Sequence, residues 1–153
     1  RVAAAELCRH IADSLWNVDP AMGVIIMGDL NDDPMDRSCA VTLGAAKKPA
    51  GVGPHAFYNP WWSKLDNGIG TLAYKSQWNL FDQIIISGNL VNVPDTQWKF
   101  YEAKVLNFDF LKDNEGNRQG YPKRSFTAGS YIGGYSDHFP TEIFLHRYIE
   151  VKK

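Results

Sequence analysis

The chain predicts a mixed α/β fold, with sheet packed against helix and room for sheet on sheet, from three observations. It opens with an amphipathic helical period, continues into a short run of uninterrupted apolar residues, and then carries several segments rich in β-branched and aromatic side chains. Its 153 residues suit one ordinary domain. Apolar residues at 44% against 22% charged place it among chains that close around a core, away from disordered compositions.

From Val2 to Trp16 the apolar positions Val2, Ala5, Leu7, Cys8, Ile11, Ala12, Leu15 and Trp16 recur at three- and four-residue steps, which predicts a helix. Pro20 and Gly23 end it. Val24 to Met27 is a continuous apolar run, as expected of a strand buried on both faces, and it stops at Gly28-Asp29. A short helix is expected between Asp36 and Leu43, with Asp36 as N-cap and Gly44 as stop. Lys47 to Asn67, rich in Pro, Gly and aromatics without a sustained period, reads as a long ordered loop. Thr71–Lys75, Asp82–Ser87, Trp98–Leu106 and Pro140–Ile149 read as strands, and a connection crowded with Gly, Asn and Lys from Asp109 to Gly134 separates the last two. There is no internal repeat.

Composition excludes some functions. A net charge of −1 with scattered Lys and Arg gives no broad attraction for polyanions. Cys8 and Cys39 are too few for a disulfide framework and lack the paired spacing of a zinc site, so both read as buried thiols. No stretch approaches the roughly 20 apolar residues that span a bilayer. The chain opens at Arg1 without an initiator Met, so a targeting segment upstream would be lost from view. Compartment stays open, leaning to secreted or periplasmic.

Three segments carry chemistry. In Val24-Ile25-Ile26-Met27-Gly28-Asp29-Leu30-Asn31-Asp32-Asp33-Pro34 a carboxylate and an amide stand where the strand runs out, and Asp29 and Asn31 share one face if strand geometry continues to them. A calcium loop would use Asp29, Asn31 and Asp33 as first, third and fifth ligands. It fails at the sixth position, Pro34 instead of Gly, and at the twelfth, Ala40 instead of Glu. A solvated turn is the plainer alternative. In Gly133-Gly134-Tyr135-Ser136-Asp137-His138-Phe139-Pro140 a carboxylate and an imidazole stand together before a strand, able to hold a hard cation and meet an anionic oxygen; the plainer reading is a glycine turn. In Trp78-Asn79-Leu80-Phe81-Asp82-Gln83-Ile84-Ile85-Ile86-Ser87, Asp82 opens a run too apolar for the surface and needs a partner, for which His138 is suited.

The order of these segments resembles the C-terminal motif series of the endonuclease/exonuclease/phosphatase superfamily, and the extended Tyr-Lys-Ser-Gln-Trp-Asn-Leu-Phe-Asp-Gln and Tyr-Ile-Gly-Gly-Tyr-Ser-Asp-His-Phe-Pro segments look like a bacterial branch of it. The resemblance implies a DNase I-like sandwich of two mostly antiparallel sheets flanked by helices, of which residues 1–153 are the C-terminal half of a single domain. It also implies roles. Asp29 would orient and deprotonate the attacking water, Asn31 would hold a phosphate oxygen or help fix Asp29, and Asp137 would contribute to a Mg²⁺ or Mn²⁺ site. His138 would contact the phosphoryl oxygens, and Asp82 would orient His138.

The family's remaining Asn and Glu metal ligands and a further His, expected upstream, cannot be placed in this chain. The expectation is a metal-dependent phosphodiesterase or phosphatase acting on a small molecule, sugar phosphate or lipid headgroup. It would need an N-terminal half of the same domain and be inactive without it. Nuclease action on nucleic acid comes second for want of a basic patch, and a non-catalytic binding module is the alternative from another class.

Further positions are ambiguous or idle. Trp61 and Trp62 read as an apolar rim or as packing. Arg124 reads as a phosphate contact or as part of a solvated basic loop. His10, His55 and His146 receive no role.

Overall fold

The structure, a computed structural model, describes residues 1–149. Helix α1 spans Val2–Val18 and buries Ala5, Ala12 and Trp16 along one stripe, on which Arg9 also lies, pairing with Asp13 at 2.7 Å one turn on and covering the Trp16 and Phe57 rings. Strand β1 (Ile25–Asp29) follows, then a π-helical turn over Arg37–Thr42 and the short strands β2 (Ala45–Ala46) and β3 (Phe57–Tyr58). Helix α2 (Trp61–Asp66), β4 (Leu72–Tyr74), β5 (Gln77–Asn79) and β6 (Asp82–Ser87) come next. The chain ends in β7 (Lys99–Val105), β8 (Phe126–Thr127), β9 (Ser130–Tyr131) and β10 (Thr141–His146).

The main sheet runs β1-β6-β3-β2, with β6 antiparallel to both its neighbours and β2 parallel to β3. Alternation along β6 sends its apolar side chains to two cores. Ile85 packs with Trp16, Phe57, Cys39 and Ala12 beneath α1. Ile84 and Ile86 turn to the opposite face, where Phe100 and Ala103 of β7 and Ile143 of β10 cover them. The result is three layers: α1, the four-stranded sheet, and the antiparallel β7–β10 pair. This is the expected mixed architecture, with sheet against helix and sheet against sheet.

Several elements depart from the sequence reading. The run from Val24 to Met27 predicts burial on both faces, yet β1 is an edge strand with Ile25 41% and Met27 72% exposed. Among the described residues only β6 lies beside it, and the β7–β10 layer does not reach across to cover Ile25 and Met27. The doubly buried strand is β6. Asp36 precedes a helical turn as expected, but its carboxylate accepts the Asp33 amide at 2.8 Å, and its carbonyl, not its side chain, takes the Cys39 and Ala40 amides. The expected loop from Lys47 to Asn67 contains β3 and α2. Trp61 is fully buried there, donating its indole N–H to the Ile84 carbonyl at 3.0 Å, so it is packing and no rim. Cys39 is buried but Cys8 only half so.

The expected strand Thr71–Lys75 is a hairpin instead. Lys75 and Ser76 both take positive φ (49° and 64°) and reverse the chain from β4 into β5. A second hairpin, β8–β9, reverses through Ala128 and Gly129 inside what reads as an irregular connection.

The contrast between β1 and β6 is measurable in the 153-residue chain. Ile85→Ala should cost about 2–5 kcal/mol in chemical denaturation, as for other buried large-to-small changes. Met27→Ala should stay within about 0.5 kcal/mol, as for exposed sites. Equal losses at the two positions would contradict the assignment of β6 as the central strand.

Candidate active site

Antiparallel pairing builds the site. In the β1–β6 register Asp29 at the end of one strand stands directly opposite Asp82 at the start of the other. The pairing persists one step past the strand end, where the Leu30 amide donates to the Phe81 carbonyl at 2.8 Å. Gly28 enters Asp29 with φ 149°, a backbone conformation that favours glycine.

His138 arrives from the segment before β10 and its Nδ1 lies 2.7 Å from Asp82 Oδ2. Both side chains are about one-fifth exposed, 22% each, so the bond is sheltered without being sealed from solvent. With Nδ1–H given to the carboxylate, Nε2 is the nitrogen left to face a ligand. Asp29, Asp82 and His138 each present a donor atom within 4.8 Å of the others.

Residues without a role in the sequence reading hold this trio in place. Fully buried Thr71 accepts the Phe81 and Asp82 amides at its hydroxyl, at 3.2 and 3.4 Å, while its carbonyl accepts the Phe139 amide at 2.7 Å. One residue thus ties the start of β6 to the residue after His138. Phe139, 2% exposed, anchors the same loop against Trp78. Gln83, fully buried, donates to the carbonyls of Asp32 and Leu80 at 2.6 and 3.0 Å and accepts from Asn59 at 2.7 Å. It therefore fixes the segments after Asp29 and before Asp82. In sequence Thr71 looks like one more strand former; the signal available for Gln83 was an amide inside an apolar run.

The structure places the other expected residues less simply. Strand geometry does not continue from Asp29 to Asn31. Asn31 adopts φ 53°, and its backbone amide donates to Asp29 Oδ1 at 2.9 Å. Asn and Asp tolerate this left-handed turn better than most residues, because their short polar side chains bond locally. Asn31 and Asp29 line one cavity of about 440 Å³ between α1, β1 and the π-helical turn, but a turn and not strand alternation brings them there. Asp137 stands outside the trio, with its carboxylate 3.7 Å from the Arg124 guanidinium and its side chain about half exposed.

The loop carrying Asp137 and His138 is bound tightly to residues 123–125. Tyr135 donates its amide to the Lys123 carbonyl at 3.0 Å, and the Ser125 hydroxyl donates to the carbonyls of Gly134 and Tyr135. A Cβ at Gly134 would come within 2.1 Å of the Lys123 and Arg124 carbonyl oxygens, so only glycine allows this approach.

The donor set suits a hard divalent cation. Asp29 and Asp82 offer carboxylate oxygens beside the His138 imidazole, ligand types such ions take.

A family model described as the Endonuclease/Exonuclease/phosphatase family matches residues 1–147. The chain belongs to this family, and its mostly antiparallel α/β sandwich with acidic and imidazole side chains gathered at one strand mouth accords with a hydrolase of the nuclease or phosphatase type. Its architecture is that of the DNase I-like fold, and its relatives are in general hydrolases that use divalent metals. No curated protein and no solved structure matches the chain. Among the described residues no helix is long and apolar enough to cross a membrane.

Asp33 supplies a test of the packing beneath the site. Its carboxylate accepts the Leu80 amide at 2.7 Å, and burial, more than that bond or the nearby Asp36 and Asp32, decides its titration, raising its pKa above the usual carboxylate value. The folded state therefore holds this proton more tightly than the unfolded state. Asp33's contribution to stability is complete below the ordinary value and is lost as pH rises through the raised one. Asp33→Asn keeps an acceptor for Leu80, so the variant should gain stability relative to the parent as pH climbs from about 3 to 7. Denaturation curves across that range showing a constant difference would contradict this.

Proposed function

We propose that the chain forms the catalytic C-terminal half of a metal-dependent phosphoester hydrolase acting on a small phosphorylated molecule. The observation that carries this reading is the 2.7 Å bond between Asp82 and His138 with Asp29 facing Asp82 across the sheet. In this reading Asp29 orients and deprotonates the attacking water, and the Asn31 backbone amide, donating to Asp29 Oδ1, helps fix its carboxylate. Asp82 fixes the His138 ring and its tautomer, so that Nε2 meets the phosphoryl oxygens. Asp137, with carboxylate oxygens contributed from outside residues 1–153, would hold Mg²⁺ or Mn²⁺. When bound, that ion offsets charge developing on the phosphoryl group.

The outer edge of β1, unpaired among the described residues, supports the companion-half part of the proposal. An edge strand presents unused backbone donors and acceptors, and Met27 and Ile25 add exposed apolar surface beside it. Further strands of the same domain would extend the sheet there and bring the remaining ligands to the mouth beside Asp29.

In the full-length protein, His138→Gln and Asp29→Ala should each lower kcat by about 10²–10⁴-fold on a susceptible phosphoester, the range for loss of a positioned acid or base. Chelation should abolish turnover and Mg²⁺ or Mn²⁺ should restore it. Residues 1–153 alone should show no turnover under the same conditions. Undiminished activity in His138→Gln would sink the assigned chemistry, and robust turnover by the 153-residue chain would sink the need for a companion half.

A further inference from the structure

Buried polar side chains are costly unless their donors and acceptors are met, and the main sheet buries two that the proposed chemistry does not use, Asn59 and Gln83. We propose that Gln83, oriented by Asn59 and assisted by Asp33, is a positioning residue for Asp29. It fastens the segment after β1 to the segment before β6 at the point where their backbone pairing has ended. The proposal rests on the reading of Asp29 as the group that handles the attacking water.

The ladder between β1 and β6 stops where the reactive groups begin. Its last rung is the Leu30 amide on the Phe81 carbonyl, and among the described residues no backbone bond joins residues 31–36 to residues 77–80. Two side chains take over. Gln83 donates one amide hydrogen to the Asp32 carbonyl at 2.6 Å and the other to the Leu80 carbonyl at 3.0 Å, while the Asp33 carboxylate accepts the Leu80 amide at 2.7 Å. Leu80 is thus held through both its backbone groups, and its own side chain is fully buried, so the bridge rests on a fixed residue. The bridge closes the loop that starts at Asp29. The Asn31 amide that bonds Asp29 Oδ1 at 2.9 Å lies inside that loop. Alternation along β6 puts Gln83 on the α1 face with Ile85, so it acts from behind Asp82 and away from its carboxylate.

A neutral amide of this length is what the partners require. Nε2 supplies hydrogens to two carbonyls, and Oε1 accepts from Asn59 Nδ2 at 2.7 Å. A flipped amide would set an oxygen against both carbonyls. Asn59 is held in turn, because its Oδ1 accepts the Trp61 amide at 3.0 Å at the start of α2. A charged Glu at this position would have no hydrogen to donate, and an apolar residue would leave two carbonyls unmet. A misplacement of about 1 Å at a reacting group costs on the order of 10²-fold in rate, so a loop that closes slightly looser is read directly in kcat.

The test uses the full-length protein with Mg²⁺ and bis(4-nitrophenyl) phosphate. Gln83→Met should lower kcat about 10- to 100-fold with KM within about twofold. Asp33→Ala, at a half-buried position that tolerates change more readily, should lower kcat about three- to tenfold. Ile85→Val, an apolar trim in the same strand, should lower the melting temperature yet leave kcat within about twofold. Added to Asp29→Ala, Gln83→Met should cost little more, because a residue that acts through Asp29 then has nothing left to position. Amide exchange reads the loop with or without turnover: the Asn31 and Leu80 amides should exchange at least about tenfold faster in Gln83→Met and keep their rates in Ile85→Val. Asn31 exchange unaltered in both Gln83→Met and Asp33→Ala, or a Gln83→Met loss that multiplies fully with that of Asp29→Ala, would overturn the proposal. If Asp29→Ala leaves kcat untouched, the role of Asp29 in hydrolysis fails while exchange still reports the bridge. If Asp29→Ala lowers kcat and Gln83→Met only matches Ile85→Val, the positioning role fails and the hydrolase reading stands.

Discussion

The antiparallel register between β1 and β6 is the constraint on which the rest of the site depends. Asp29 and Asp82 face each other because five consecutive residue pairs lock the two strands, from Ile25 opposite Ile86 to Asp29 opposite Asp82. A slip of one residue would move every side chain of β1 to the other face, taking Ile26 out of the α1 core and turning Asp29 away. The apolar packing that holds Ile26 beneath α1 therefore also sets the direction of a carboxylate at the strand's end. Core and chemistry are specified by one alignment.

A second constraint brings in His138, which no strand pairing places. The loop before β10 is held by backbone and buried polar contacts: Thr71 bonds on both sides of the junction, Phe139 is packed out of water, and Gly134 lies against residues 123–125. Buried hydrogen bonds of this kind contribute only about 0.5–1.5 kcal/mol each to stability, but an unmet buried partner costs more, so the arrangement has few alternatives. Precision at His138 thus comes from polar satisfaction, while precision at Asp29 and Asp82 comes from sheet register.

What was legible in the sequence follows from this difference. The helix over Val2–Trp16 and the strand Asp82–Ser87 were readable because apolar spacing reports directly on burial. The meeting of Asp29, Asp82 and His138 was readable from motif order, since acids at strand ends beside a Ser-Asp-His-Phe segment resemble a known series. The identity of the edge strand was not, because Val24–Met27 and Ile84–Ile86 have the same apolar character and only the neighbours differ. The β4–β5 hairpin was hidden by its turn, in which Lys75 and Ser76 adopt positive φ without the Gly or Asn that usually announces one. The surroundings of Asn31 and Asp137 were hidden for a related reason. Side-chain direction beyond the last paired residue is set by local turns and by Arg124, and periodicity carries no information about either.

The segment from Asp109 to Gly134 extends this contrast to recognition. As sequence it is an irregular stretch of Gly, Asn and Lys, yet in space it is fastened to the Asp137–His138 loop and lines part of a cavity there with Arg124, Ser125 and Phe126. The segments that carry Asp29 and Asp82 lie in the β1–β6 pair, where a shift of register would disturb both. This connection touches the mouth without entering the pairing, so its residues can vary at little cost to the core. A fold that separates these duties can keep one arrangement of acids and imidazole and present it to different phosphoesters by altering only the walls beside His138.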